Sequence, residues 1–291
     1  MRGSRPLPRT PLSLSAPAKI NWFLGVTGRR DDGYHNIVSL MQYISLHDIL
    51  TFDYADSVNI ESDLDIPVQD NLVHKAASLL KGYTSCRRGA NILLKKNVPV
   101  SAGLGGGSSD AACTLLGLNK LWGLGLDRKG LILIASEIGS DVPFFLNGPS
   151  ALVEGKGEKT RRVKINSSVI LLLVKPPVSV STAWAYADFD RMKHDKLTKK
   201  VFDIKLFCRA LVRKDFAPLG NMLFNDLEEV VAGKYPVVTE IKLRLAEEGA
   251  FFSAMSGSGP SVFGVYDSRE AAEKAAGRLE PHFCRVVETI I

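Results

Sequence analysis

The stretch NVPVSAGLGGGSSDAAC, residues 97–113, runs three consecutive glycines and two serines directly into an apolar helical pattern. A helix start leaves backbone N–H groups unpaired and carries a partial positive charge, and both favour an anion. Glycines let those amides approach an oxyanion with no Cβ in the way. Ser108 and Ser109 add hydroxyls, either of which is able to reach a magnesium ion. The chemistry this points to is the cradling of a polyphosphate. Two common phosphate loops are excluded: no GxxxxGK[ST] is present, and the run does not read GxGxxG with an acid after the following strand. The competing reading is a tight strand-to-helix turn with no ligand.

Other residues invite chemistry as well. Asp141 sits in GSDVPFF between small residues and a Pro-Phe-Phe. A carboxylate there is placed to take a proton from a hydroxyl, or else serves as a helix cap or turn acid. Lys19, in PAKIN, is a candidate neighbour, because an ammonium lowers a carboxylate pKa and offsets negative charge on a transferring group. An ordinary ion pair is the plainer alternative. Asn21 shares a strand face with Lys19 and reads as a substrate contact or as a polar residue facing water. Tyr34 and His35, adjacent in the turn DGYH, suit a planar base: one ring to stack and one to hydrogen-bond its edge. Stacking of this kind contributes about 1–3 kcal/mol in nucleic-acid systems. Ser256-Gly257-Ser258-Gly259 forms a second glycine turn, near phosphates or merely a connection.

These residues need elements to hold them. Residues 12–26 partly alternate polar and apolar and predict a strand, followed by a turn cluster at 28–36 and strand material to about 55. A capped helix is expected over 70–83, a strand over 89–100, and a helix from the glycine loop to about Trp122, ended by Gly123 and Gly125. Asp127 caps another helix. SALVEGKGEK and SVILLLVKP read as strands. Residues 181–248 are mostly helical in pattern, including DIKLFCRALVRKD, NMLFNDLEEVVAG and VVTEIKLRLAEEG. The end reads strand (250–254), glycine loop, strand (261–266), helix (268–279) and strand (283–289), a split β-α-β pattern. The texture changes near 160–180, so the expected division is a loose tail at 1–11, an N-terminal lobe at 12–165 and a C-terminal lobe at 166–291.

Composition bounds the function. The chain has 291 residues, 45% hydrophobic and 23% charged, which is ordinary for a globular protein with a substantial core. The 37 basic residues exceed the 31 acidic ones by six and are scattered, so no nucleic-acid stripe is expected. No apolar run reaches the ~18 residues of a membrane span. Four widely spaced cysteines read as reduced thiols of a cytoplasmic protein. The Arg-, Ser- and Pro-containing N-terminus without acids has the texture of a transit remnant or an appended tail, and a plastid stroma is the corresponding alternative.

The run Pro99, Val100, Ser101, Ala102, Gly103, Leu104, Gly105, Gly106, Gly107, Ser108, Ser109 resembles the central motif of the GHMP kinase superfamily. PAKINWFL (17–24) resembles its N-terminal motif and MSGSGPSVFGVY (255–266) its C-terminal glycine loop, in the same order. GRRDDGYHNIVSLMQ (28–42) and GSDVPFFLNG (139–148) are similar to the branch that phosphorylates a cytidine diphosphate-linked methylerythritol on the way to isoprenoids by the non-mevalonate route. The resemblance covers roughly residues 12–291. It implies an α+β, two-lobed GHMP kinase fold, the N-terminal lobe with a ribosomal-protein-S5-like β-α-β arrangement and the C-terminal lobe ferredoxin-like. It further implies ATP on residues 99–109, magnesium arriving with ATP and held in part by Ser108 or Asp141, and Lys19 with Asp141 as the catalytic pair. The acceptor, a small molecule, is expected on Asn21, Tyr34, His35, Gly257 and Ser258, its cytosine flanked by Tyr34 and a second aromatic. Tyr186 matches a phenylalanine of relatives there; Trp184 competes. Pro260 departs from the family pattern and removes one N–H donor. Two readings stay open: a mevalonate- or homoserine-type kinase of the same fold, or a nucleotide-binding module without chemistry.

Overall fold

The computed structural model of the protein describes residues 11–64, 67, 70–192, 202–216, 219–220, 222–279 and 281–291. Almost all of the expected N-terminal tail, residues 1–10, lies outside the described residues. In chain order the elements begin with strands β1 (Leu12–Arg29), β2 (His35–Ala55) and β3 (Val58–Ser62), helix α1 (Leu72–Thr84), strand β4 (Gly89–Lys95), and helices α2 (Gly106–Trp122), α3 (Arg128–Ile138) and α4 (Val142–Asn147). Strands β5 (Ser150–Gly155), β6 (Lys159–Arg162) and β7 (Ile170–Lys175) follow, then helices α5 (Thr182–Met192), α6 (Ile204–Arg213), α7 (Glu228–Lys234) and α8 (Val237–Glu247). The chain closes with β8 (Ser253–Met255), β9 (Val262–Tyr266), α9 (Arg269–Ala276) and β10 (Phe283–Glu288).

Two sheets result. The first runs β3-β4-β2-β5-β6 with β1 also on β2, and its one parallel pairing, β3 with β4, is made by the α1 crossover. The second is antiparallel, β10-β7-β9-β8, with α9 linking β9 to β10. β2 organises the first sheet: β1 pairs along most of its length, β5 along its first part and β4 along its last. Register shifts at Pro17/Lys19 and Asn21/Phe23 isolate Lys19, Ile20 and Asn21 as a short regular segment between two irregularities. Such bulges re-aim side chains.

β1 is buried on both faces from Ala18 to Val26, because the first sheet packs on α1–α4 on one side and on the second sheet on the other. Trp22 makes that second contact. Its ring meets Phe207 and Phe263 edge-on at 5.1 and 5.7 Å, and its Nε1–H donates to Gln42 Oε1 at 2.7 Å. A buried indole needs such an acceptor.

Three expectations are corrected. The helix expected over 221–233 begins only at Glu228, because the Asn225 and Asp226 side chains bond to other segments' backbone and compete with the helix ladder. The strand expected over 250–254 starts at Ser253. The turn cluster at 28–36 is shorter, since Arg29 still belongs to β1 and His35 opens β2.

Candidate active site

The glycine stretch forms the entry to α2. Gly105 occupies the N-cap in the left-handed conformation, φ 69°, and no side chain caps the helix. The first intrahelical bond is Ser109 N–H to the Gly105 carbonyl. Helix geometry therefore leaves the amides of Gly106, Gly107 and Ser108 without an intrahelical acceptor. Gly103 and Gly105 are required for a further reason: both have positive φ, a Cβ on Gly103 would run into the Ser256 carbonyl, and one on Gly105 would come 2.9 Å from the Phe145 ring. Two of the glycines thus serve packing of the loop against its neighbours, while Gly106 and Gly107 line the open end.

Beneath the loop, Lys96 Nζ–H bonds to Asp110 Oδ2 at 2.7 Å and also to Asp48 Oδ2. Asp48 Oδ1 accepts from the amides of Asn97 and Val98 at 2.6 and 2.8 Å, which fixes the backbone leading into the loop. Burial, eased by Lys96 and worsened by Asp48, pushes the Asp110 carboxyl up to about 7. Burial alone would lower the Lys96 ammonium; Asp110 and Asp48 hold it above the ordinary lysine range.

Lys19 on β1 is buried, and its Nζ–H groups donate to Asn21 Oδ1 at 2.5 Å and the Gly103 carbonyl at 2.9 Å. Nζ is also 4.0 Å from Asp141 Oδ2. Burial lowers the Lys19 pKa, and Asp141 opposes that shift. Asn21, far from facing water, is 1% exposed and donates from Nδ2 to Ser39 Oγ at 2.8 Å. Asp141 sits at the N-cap position of α4 yet makes no side-chain cap bond, which leaves its carboxylate, 31% exposed, free to face the cleft.

The second glycine turn closes over this pair. Ser256 Oγ accepts from Asn21 N–H at 3.3 Å and donates to the Gly103 carbonyl at 3.0 Å. Gly257 has φ 56°, and a Cβ there would lie 2.9 Å from Lys19 Nζ. Ser258 Oγ bonds Thr182 Oγ1 at the start of α5. The turn is held from behind by Asn225, whose Nδ2 donates to the carbonyls of Met255 at 2.9 Å and Gly257 at 2.7 Å.

At the other end, His35 stacks on Tyr186 with centroids 4.9 Å apart and planes at 21°. His35 Nε2 is 2.7 Å from Asp190 Oδ1. Tyr34 is half exposed, and Lys156 Nζ stands 4.9 Å from its ring centroid. Trp184 does not line the cleft; it packs edge-on against Tyr235 with Lys234 over its face.

One cleft of about 1180 Å³ is lined by Lys19, Asn21, Tyr34, His35, residues 99–108, Asp141, Tyr186, Gly257 and Ser258. Ser109 lies beneath it, its hydroxyl buried with no partner among the described residues. Reading of the sequence missed Asn225, Lys96, Asp48 and Asp190. For Asp190 a signal existed: it stands four residues after Tyr186, on the same helix face. For the others none did, since their partners are distant in the chain.

Models of the GHMP kinases N terminal domain and GHMP kinases C terminal match residues 71–149 and 207–285. A protein of Thermodesulfovibrio yellowstonii named 4-diphosphocytidyl-2-C-methyl-D-erythritol kinase is 45% identical over 285 residues, 96% of this chain and 98% of that protein. One of Geobacter metallireducens with the same name is 42% identical over 91% of this chain and 92% of its own length. A crystal structure of 4-(cytidine 5'-diphospho)-2C-methyl-D-erythritol kinase superimposes with a TM-score of 0.83 at 31% identity, covering 96% of this chain and 99% of that one. The homoserine kinase of Cytophaga hutchinsonii, at 19% identity and a TM-score of 0.72 over 100% of this chain and 98% of its own, shares the two-lobed fold. Relatives matching nearly end to end, together with both domain models, show that the chain belongs to the 4-diphosphocytidyl-2-C-methyl-D-erythritol kinase family of the GHMP kinases.

Proposed function

We propose that this chain transfers the γ-phosphoryl group of ATP to the 2-hydroxyl of 4-diphosphocytidyl-2-C-methyl-D-erythritol, giving the 2-phosphate and ADP. The observation that carries this is the place of the Lys19–Asp141 pair, in one cleft with the glycine loop and with the His35–Tyr186 stack. The triphosphate sits on the α2 amides of Gly106, Gly107 and Ser108, and the cytidine end of the acceptor sits at Tyr34, His35 and Tyr186. We assign residues 12–165 to the ATP-binding lobe and 166–291 to the lobe that brings the 255–258 turn over it, in keeping with sheets that span 12–162 and 170–288.

Asp141 takes the proton of the acceptor hydroxyl. The acceptor's hydroxyl oxygen forms the new bond to the γ-phosphorus while the bond to the β,γ-bridging oxygen breaks, and ADP departs with that electron pair. Phosphoryl transfer asks chiefly for positioning and charge neutralisation. Asp141 favours the ammonium form of Lys19, which offsets charge on the transferring group. Asn21 and the Gly103 carbonyl hold that ammonium in place. Magnesium fits the oxygen donors here, the Ser108 hydroxyl and the Asp141 carboxylate, both of which line the cleft. Among the described residues no group of three or more His, Cys, Asp or Glu side chains is placed to hold a metal, so Ser108 and Asp141 would hold it together with ATP's phosphates. When bound it neutralises phosphate charge. We place the enzyme in the cytoplasm on its widely spaced thiols.

The test is a product assay with ATP and each of three acceptors: the cytidine-linked methylerythritol, mevalonate and homoserine. ADP release and a 2-phosphate signal only with the first are expected. Turnover of mevalonate or homoserine instead rejects the acceptor, and ADP release no greater than a protein-free background with all three acceptors rejects the enzyme.

A further inference from the structure

The His35 ring is held on three sides. Tyr186 covers one face, Phe189 meets it edge-on at 6.5 Å and 90°, and Asp190 Oδ1 stands 2.7 Å from Nε2. Asp190 is in turn 3.6 Å from Arg29 Nε through its other oxygen. Only 8% of His35 is exposed, yet it lines the cleft, and its Nδ1 has no protein partner among the described residues. An ionised carboxylate accepts hydrogen bonds and donates none, so the proton of a neutral imidazole facing it resides on Nε2. The remaining nitrogen, Nδ1, is then a bare acceptor.

We propose that Asp190 is a positioning residue that makes this site select a 4-aminopyrimidine over a 4-oxopyrimidine. The inference rests on the acceptor reading above and adds to it a residue and a rule of discrimination. With the proton held on Nε2, Nδ1 accepts from an exocyclic amine at the base edge. A keto oxygen at the same place would set acceptor against acceptor, with neither side able to reorient, since the tautomer is held by Asp190 and the ring plane by Tyr186. A site built around such a bond rejects the analogue lacking it strongly, because buried polar groups are left unpaired. Asp190 itself does not touch the base; it acts through His35.

The experiment compares the parent with Asp190→Asn and Asp190→Glu, using the cytidine-linked acceptor and its uridine-linked analogue. An asparagine both donates and accepts, so it releases the tautomer while keeping the size of the side chain. Asp190→Asn is expected to lose about 10- to 100-fold in kcat/KM for the cytidine acceptor, mostly through KM, and the cytidine-to-uridine preference is expected to narrow at least tenfold. The KM for ATP stays unchanged, and Asp190→Glu restores part of the preference. Nitrogen-15 spectra of histidine-labelled protein, with the His35 signals assigned by His35→Gln, are expected to show the parent's proton on Nε2 and a mixture in Asp190→Asn. A parent His35 protonated on Nδ1 overturns the proposal, and so does an unchanged base preference in a folded Asp190→Asn. If that variant fails to fold, the parent spectrum decides alone. A parent that turns over neither acceptor removes the reading beneath the proposal and the proposal with it, and this failure shows in the parent rather than in the variant.

Discussion

The Nζ of Lys19, in the middle of β1, lies 4.0 Å from Oδ2 of Asp141, the N-cap residue of α4. Lys19 is committed on its other sides to Asn21 and Gly103, whereas Asp141 has neither a cap bond nor full burial. The pair is therefore asymmetric: a fixed cation and an available base.

That asymmetry predicts the behaviour of Asp141→Asn. Its kcat should fall by about 10²–10⁴, the usual worth of a positioned base, with ATP affinity retained. Stability should change by about 1 kcal/mol or less, because a partly exposed ion pair at this distance contributes little. Steady-state kinetics beside a thermal melt check both, and turnover within threefold of the parent would remove Asp141 from the chemistry.

The glycines of the loop should separate by role. Gly103→Ala meets both a positive φ and the Ser256 carbonyl, so a loss of roughly 2 kcal/mol or more is expected. Gly107 in the first turn of α2 has nothing nearer than Leu72 Cδ1 at 3.6 Å, so Gly107→Ala should gain about 0.5–1 kcal/mol. Its ATP affinity should nonetheless drop if that amide touches phosphate. Urea titrations and nucleotide binding on the two variants check the contrast, and equal destabilisation would refute it.

Asp110 links stability to pH. Its folded pKa near 7 stands above the 3.8 of the unfolded chain, so between these values the folded state holds a proton that the unfolded state does not. Stability from this group is complete below about pH 4 and is lost as pH rises through 7. Asp110→Asn mimics the protonated form and leaves Lys96 paired with Asp48. It should match the parent near pH 4 and exceed it at pH 8, by about 2 kcal/mol or more. Melting curves at the two pH values decide; a gain that does not grow with pH argues against it.

Asn225 should prove a support of the site despite lying outside the cleft lining. Asn225→Ala removes donors from the carbonyls of Met255 and Gly257, and a loss of about 1–3 kcal/mol is expected. The KM for the acceptor should rise as the 255–258 turn loosens. Asn225→Asp should be worse than alanine, because it sets a carboxylate against those carbonyls. A melt and KM both unchanged in the alanine variant would show the turn to be held otherwise.

Much of the fold was legible because its signals are local. Asp127 caps α3 through Gly130 N–H, as its place before an apolar run predicts, and Gly123 ends α2 in the left-handed conformation. The glycine-to-helix run at 103–109 carries the same kind of information. Segment 222–227 misled because its apolar spacing suits a helix, while Asn225 and Asp226 find better partners across the fold.

The amino-acid sequence by itself determined which residues can do chemistry and which family they belong to, since motif identity and order are one-dimensional facts. Tertiary structure alone decided how they are used. It buried Lys19 between a carbonyl and an amide, left Asp141 open, made Tyr186 rather than Trp184 the aromatic facing the cleft, and set Asp190 behind His35. Those outcomes depend on desolvation and on contacts between segments far apart in the chain, and no local pattern encodes either.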